Sequence, residues 1–305
     1  MMRRLSRGSV DVAHPCSNLL GESPLWCPVE QVLWWLDIGN PTLWRLDRNG
    51  TVDNWRLPKP AGCLTLLREG GLALAFRSGL ATLDTPGGTP QWRVPDGLAL
   101  GEDRFNDGKC DRAGRFWVGT MDRRMRDPVG ALYRFDGIGR CTRMASGFVL
   151  SNGVGWSPDD RTLYFADTAL LRIHAFDYDL AGGSLARPRT LHQFAPGPGG
   201  PDGLTVDQDG GIWVALFGRG CLHRYDPHGR LDYVIELPVS QPTSVMFGGD
   251  SLDILYVTSA TVGLDAAALA REPLAGSLLT VRPGIRGLSE PRFVSTPGQG
   301  SDSHG

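Results

Sequence analysis

Three observations predict an all-β chain folded as a six-bladed β-propeller with four-stranded blades. Short apolar runs are punctuated by Gly, Asn, Asp and Pro from Glu30 almost to the C-terminus. Aromatic markers at Trp34, Phe76, Trp117, Tyr164, Trp213 and Tyr256 return roughly every 41 to 49 residues, the period of a propeller blade. A second set, LWRLD, LYRFD, IHAFDYD and LHRYD, follows the first at short distance and ends in Asp before a Gly-containing turn. A β-sandwich supplies strands and turns too, but gives no reason for a repeat of this length.

Taken in order, the units are legible. QVLWWLDI, TLWRLDRNG and TVDNWRLP make three strands joined by turns, with Asn49-Gly50 a strong hairpin signal. GLALAFRSG, LATLDTPGG and QWRVP repeat that order, as do GRFWVGTM, GALYRFDGIGR and CTRMASGF. RTLYFADT leads to LRIHAFDYD, GGIWVALFG to CLHRYDPHG and LDYVIELP, and DILYVTSA to GSLLTVRP. Only DAAALAREPLAG has helical character, as one or two turns over residues 266–270. No linker interrupts the repeat, so residues 14–296 are expected to form a single propeller domain, after a flexible lead at 1–13 and before a disordered, apolar-free tail at 297–305.

Composition narrows the function. The 305 residues are 41% hydrophobic and 21% charged, enough apolar content for a sizeable core, and 41 Gly with 22 Pro suit many short strands. A net charge of -2 without like-charge runs predicts neither nucleic acid nor anionic membrane as a partner. MMRRLSR is followed by SVDVAHPC instead of an apolar segment, so a cytoplasmic protein is expected, a monomer or weak dimer. The six cysteines lack CxxC spacing and read as reduced, mostly buried thiols.

A propeller gathers residues from distant blades around its central channel. On loops leading into the innermost strands stand Glu22 (GESPLW), Arg104, Asn106 and Asp107 (RFNDG), Asn152 (SNGVGW), Asp202 (PDGLTV), and Gln241 with Thr243 (QPTSVMF). Glu22, Asn152 and Asp202 share the form of a polar residue before a small residue and an apolar strand, which points them to one channel mouth. Two carboxylates and an amide oxygen suit Ca²⁺, Mg²⁺ or Mn²⁺ and accept Zn²⁺ or Fe²⁺. Three protein ligands leave positions open to polarise a carbonyl. The bland alternative is that Asp and Asn before Gly merely form turns. That alternative is preferred for Asp159, Asp160, Asp207 and Asp209, and a solvated loop is preferred for Arg123, Arg124 and Arg126. No His pairing, GxSxG elbow or phosphate loop is present.

GESPLW, RFNDGKCDRAGRFWVGTM, SNGVGWSPDDRTLYFADT and PDGLTVDQDGGIWVAL together resemble the SMP-30/gluconolactonase/LRE-like (regucalcin-type) family, on the side of its bacterial sugar lactonases. The resemblance implies one divalent metal in the channel and hydrolysis of an aldono-1,4- or 1,5-lactone to the aldonic acid. By motif it assigns Glu22, Asn152 and Asp202 as metal ligands, Asp202 also as the catalytic acid/base, and Arg104 and Asn106 as substrate-binding residues. Asn106 has a ligand role as its alternative, and metal-bound hydroxide is the alternative to Asp202 as base. Where the regucalcin-like branch has an acidic contact after GTM, this chain runs MDRRMR and places Arg124. The competing functions are a Ca²⁺-binding regulatory or interaction propeller without turnover, and a phosphotriester or arylester hydrolase.

Overall fold

The computed structural model describes residues 2–77, 79–101 and 103–295. Its strands form six sheets, each one blade. In blades one to five the chain starts at the innermost strand and works outward, as in Gly21–Cys27, Val32–Asp37, Thr42–Asp47 and Val52–Arg56 of blade one. The innermost strands of the other blades are Ala61–Leu66, Arg104–Cys110, Ser151–Trp156, Gly200–Val206 and Pro242–Gly248, and neighbours in this series touch around a closed ring.

Burial explains why the inner strands are continuous apolar runs. Val32–Asp37 and Phe116–Met121 are buried at every position, since both faces of a blade pack against other blades. An outer strand such as Ser184–Gln193 is mostly exposed and correspondingly polar. The aromatic markers pack between blades: Trp117 meets Trp156 and Tyr178 of the next sheet edge-on, at 6.2 and 5.9 Å.

Buried carboxylates pin the hairpins. Asp111, at the start of the DRAGR turn, accepts Trp117 Nε1 at 2.8 Å, Arg115 Nε at 2.6 Å and Tyr178 OH at 2.7 Å. Asp207 repeats the arrangement with Trp213 Nε1 at 2.7 Å and Arg224 Nε at 2.6 Å. Each therefore forms its turn, as expected, and also ties that turn to the aromatic marker six residues on. Gly114 and Gly210 supply the left-handed conformations at the tips, with φ of 82° and 83°.

The N-terminus departs from the expectation of a flexible lead. Arg3–Leu5 pairs in parallel with Leu231–Glu236, and Val10–His14 pairs antiparallel with Leu278–Val281 as the outer strand of blade six. Blade six has only three strands of its own, and its open row of backbone donors and acceptors recruits the chain's beginning. A short half-polar stretch, VDVAH, carries no strand signal of its own. The tail expected at 297–305 lies outside the described residues. The expected short helix is present as Ala266–Arg271, capped by the Asp265 carboxylate on Ala268 N at 2.7 Å. All six cysteines are free, four of them buried. Among the described residues no helix is long and apolar enough to cross a membrane.

Residues 288–291 pack beside Lys109, Gly155 and Thr205, toward the ends of three inner strands. Lys109 Nζ donates to Leu204 O at 2.9 Å and pairs with Glu290 Oε1 at 3.5 Å, both side chains being nearly buried.

Two predictions follow from this framework. Removing residues 2–14 strips blade six of its outer strand and should lower Tm by roughly 5–10 °C, measured by scanning calorimetry, if the closure is energetic and not incidental. Burial drives the imidazoles of His174 and His223 down to about 4, with Arg172 adding to the effect on the first and His192 on the second. The unfolded chain then binds more protons between about pH 4 and 6.5, so this stability is full above 6.5 and is lost as the pH falls through that window. Tm between pH 7 and 5 should fall less steeply for His174→Gln/His223→Gln than for the wild type.

Candidate functional site

The polar residues expected on loops lie instead inside the innermost strands, and a single device turns them inward. From Glu22 to Leu25 the inner strand of blade one advances three residues while its partner moves two, Leu36 to Trp34. The same one-residue bulge falls at Phe105/Gly108, Ser151/Val154 and Pro201/Leu204. In blades three, four and five the bulge interrupts pairing at Asn106, Asn152 and Asp202 themselves, which leaves those side chains free to leave the sheet plane, whereas Glu22 is the last paired residue before its bulge. Blade two carries Gly62 at its shift and blade six Thr243. Thr243 Oγ1 donates to Gly21 O and bonds Thr258 Oγ1, so it braces blade one to blade six, while Gln241 Oε1 is buried without a hydrogen-bond partner.

Close approach demands the small residues that follow. A Cβ on Gly153 would stand 2.3 Å from Leu204 N, and one on Gly203 would stand 2.0 Å from Ser244 Oγ. Blade one has Ser23 in this place, held at a φ of 51°. Its hydroxyl accepts Leu64 N at 3.1 Å, and its own N–H donates to Glu22 Oε2 at 3.0 Å. That left-handed serine stores backbone strain beside a candidate ligand.

The amides form a chain around the ring. Asn106 Nδ2 donates to Asn152 Oδ1 and to Ser151 O, both at 2.8 Å, while Asn106 Oδ1 accepts Arg104 Nη1 at 3.0 Å. Asn152 Nδ2 donates to Thr168 Oγ1 at 2.6 Å, which donates to Pro201 O at 2.6 Å. With its oxygen held by Arg104 and its NH₂ turned to the other amide, Asn106 is arranged as a donor. Thr168 escaped the sequence reading because it lies in blade four after the Asp167 turn, sixteen positions from the Asn it orients.

Glu22, Asn106, Asp107, Asn152 and Asp202 are all buried. Asp107 stood in the motif without a role, yet it belongs to the cluster: burial first, then the charges of Asp202 and Asp107, hold the Glu22 carboxyl well above the usual carboxylate range. Burial and Asp107 do the same to Asp202, and burial raises Asp107 itself against the pull of Lys109. Asp202 Oδ1 is buried without any hydrogen-bond partner. An orphaned carboxylate oxygen next to further buried carboxylates is costly unless positive charge completes the site. Among the described residues, His, Cys, Asp and Glu side chains do not by themselves make a group of three placed to hold a metal ion. A hard divalent cation therefore fits only if an amide oxygen shares the work, and Asn152 Oδ1, which accepts Asn106 Nδ2, is the candidate.

The family model described as "SMP-30/Gluconolactonase/LRE-like region" matches residues 20–261. The chain is 38% identical over 279 residues to a 6-deoxy-6-sulfogluconolactonase of Pseudomonas putida, covering 91% of this chain and 96% of that one. It is 34% identical over 285 residues to an L-arabinolactonase of Azospirillum brasilense, covering 92% and 94%. A solved structure described as a calcium-binding protein, regucalcin, from Agrobacterium tumefaciens superposes with a TM-score of 0.89 at 28% identity, over 96% of this chain and 99% of that one.

If repulsion among buried carboxylates is the dominant local term, isosteric neutralisation should stabilise the metal-free protein. In chelator, Glu22→Gln and Asp202→Asn should each raise Tm by a few degrees, about 1–2 kcal/mol, as read by thermal denaturation. A fall in Tm for both would show the carboxylates to be satisfied without an ion.

Proposed function

The chain belongs to the SMP-30/gluconolactonase/LRE-like family, and from that premise we propose that it hydrolyses a sugar lactone, an aldono-1,4- or 1,5-lactone, to the aldonic acid. The observation that carries this reading is the unpartnered Asp202 Oδ1, buried with Glu22 among the innermost strands. Glu22, Asn152 and Asp202 would hold one divalent cation. When bound, that ion supplies Lewis-acid polarisation of the lactone carbonyl and counters the negative charge that develops on its oxygen.

The chain's own groups supply the rest. The Asp202 carboxylate accepts the proton of the attacking water as it adds to the lactone carbonyl. Arg104 uses only Nη1 for its bonds to Phe105 O and Asn106 Oδ1, which leaves Nε and Nη2 for sugar oxygens. Asn106 is fixed by bonds at both ends of its amide and orients Asn152 in turn. Similarity to two chains named as lactonases supports the reaction class.

The regucalcin structure, described as calcium-binding, favours one second reading, in which the same residues hold an ion without turnover. A single experiment separates them. Chelated protein reloaded with Ca²⁺, Mn²⁺, Mg²⁺, Zn²⁺ or Fe²⁺ is assayed for acid release from a panel of aldonolactones, with the spontaneous rate subtracted. Metal-dependent hydrolysis that falls at least 100-fold in Asp202→Asn is expected. Metal uptake with no rate above background on any lactone would leave the ion-binding reading in its place.

A further inference from the structure

The bulges that free Asn106 and Asp202 also interrupt the strand ladder at those residues, which leaves the inner strands of blades three and five in need of another restraint. Pairing resumes at Gly108 in the one strand and at Leu204 in the other. A single side chain joins the two strands at that level. Lys109, the residue after Gly108, donates from Nζ to the main-chain oxygen of Leu204 at 2.9 Å. Blade four lies between them in the ring, and there Gly155, which lines the same small cavity as Lys109, presents no side chain to the crossing. A Cβ on Gly155 would already stand 3.0 Å from Leu204 Cδ1.

The Lys109 side chain is only 12% exposed, and a cation withdrawn from water is costly without a counter-charge. Glu290 Oε1, 3.5 Å away on a side chain 13% exposed, supplies it. That carboxylate arrives on the segment after the last strand, and the segment is fixed on either side of it. Before Glu290, Arg286 O accepts Gln208 N of blade five at 3.0 Å, and Gly287 N donates to Leu252 O of blade six at 2.8 Å. After it, Phe293 is fully buried, its N–H donating to Leu66 O at 2.8 Å and its oxygen accepting Arg68 N at 2.9 Å, both in blade two. Val294 N then donates to Gly114 O of blade three at 2.9 Å. Residues 286–294 are thereby a strap across four blades, and its middle carries the counter-ion of Lys109.

We propose that Lys109 is a positioning residue for the buried polar cluster: it pins the inner strands of blades three and five where their bulges end, and the C-terminal strap holds it in place through Glu290. The restraint acts on Asp202, two residues before Leu204, and on Asn106 and Asp107, three and two residues before Lys109. Asp107 and Asp202 are buried carboxylates on the two strands that are joined, and a link with a positive end resists the separation their charges favour. The consequence for an ion rests on the reading of Glu22, Asn152 and Asp202 as one cation site, whereas the link itself rests on the bonds of Lys109.

Calorimetric titration of the full chain with Ca²⁺ and with Mn²⁺ tests this, alongside Tm and the kinetics on glucono-1,5-lactone. Lys109→Met should weaken cation affinity about tenfold and lower kcat by a similar factor with KM little changed. Lys109→Arg, which keeps a charged donor, should recover most of the affinity, and Glu290→Gln should weaken it in the same direction by a smaller factor. Arg112→Gln is the matched control. Arg112 lines the same cavity, donates to Ser157 O of blade four at 3.1 Å and pairs with Asp160, so its loss removes a brace between blades and should lower Tm at unchanged cation affinity. A Lys109→Met protein that behaves like this control, less stable but with wild-type affinity, overturns the proposal, as does a wild type that binds neither cation. If Lys109→Met does not fold, Glu290→Gln decides: wild-type affinity there removes the strap from the argument and the proposal with it. If no lactone is hydrolysed, the lactonase reading fails, while a tenfold loss of cation affinity in Lys109→Met upholds the positioning role.

Discussion

Repulsion among Glu22, Asp107 and Asp202, buried together in a channel a few side chains wide, is the constraint to which the surrounding structure answers. Left alone, three such carboxylates would protonate or part. They do not part because each is anchored by its backbone to a different inner strand, and those strands are locked in a ring by the packing of whole blades. The unpartnered Oδ1 of Asp202 is the residue of this tension, and it marks the place where positive charge belongs.

Rigidity elsewhere keeps the ring from relaxing. Asp111 and Asp207 each gather an indole N–H, a guanidinium and backbone donors at one hairpin, so the blades that carry Asn106 and Asp202 are fixed at their outer turns as well as at the channel. Residues 10–14 complete blade six and join the two ends of the chain across one sheet. Glycine at the bulges allows approach that a Cβ would forbid, and Ser23 accepts a left-handed backbone so that its hydroxyl and N–H can serve blade two and Glu22 together. The strain is local, and the surrounding packing holds it.

The mouth shows how charge is partitioned at short range. Arg104 and Arg124 are close in register, yet they meet different surroundings: Arg104 hydrogen-bonds an amide oxygen, and Arg124 lines a groove with Asp103, Asp122 and Asp127. One carboxylate, Asp122, produces this division by curling the backbone between them. Electrostatic character at the rim is thus a consequence of a turn, not of composition, which is close to neutral over the whole chain.

The amino-acid sequence by itself determined the propeller, since a repeated aromatic position is a local periodic signal and needs no knowledge of contacts. It also singled out Glu22, Arg104, Asn106, Asn152 and Asp202, because similar short motifs recur at similar places in successive units. What it left to the tertiary structure was whatever depends on who faces whom. The bulges that carry the motifs inward are offsets between two strands, invisible in either one. Asp107 gains its part only from the two carboxylates beside it, and Thr168 only from the amide it orients. Val10–His14 became a strand because blade six had an unpaired edge. Periodicity is written along the chain, whereas charge repulsion and edge pairing act through space between distant segments, and only the folded ring brings those segments within range.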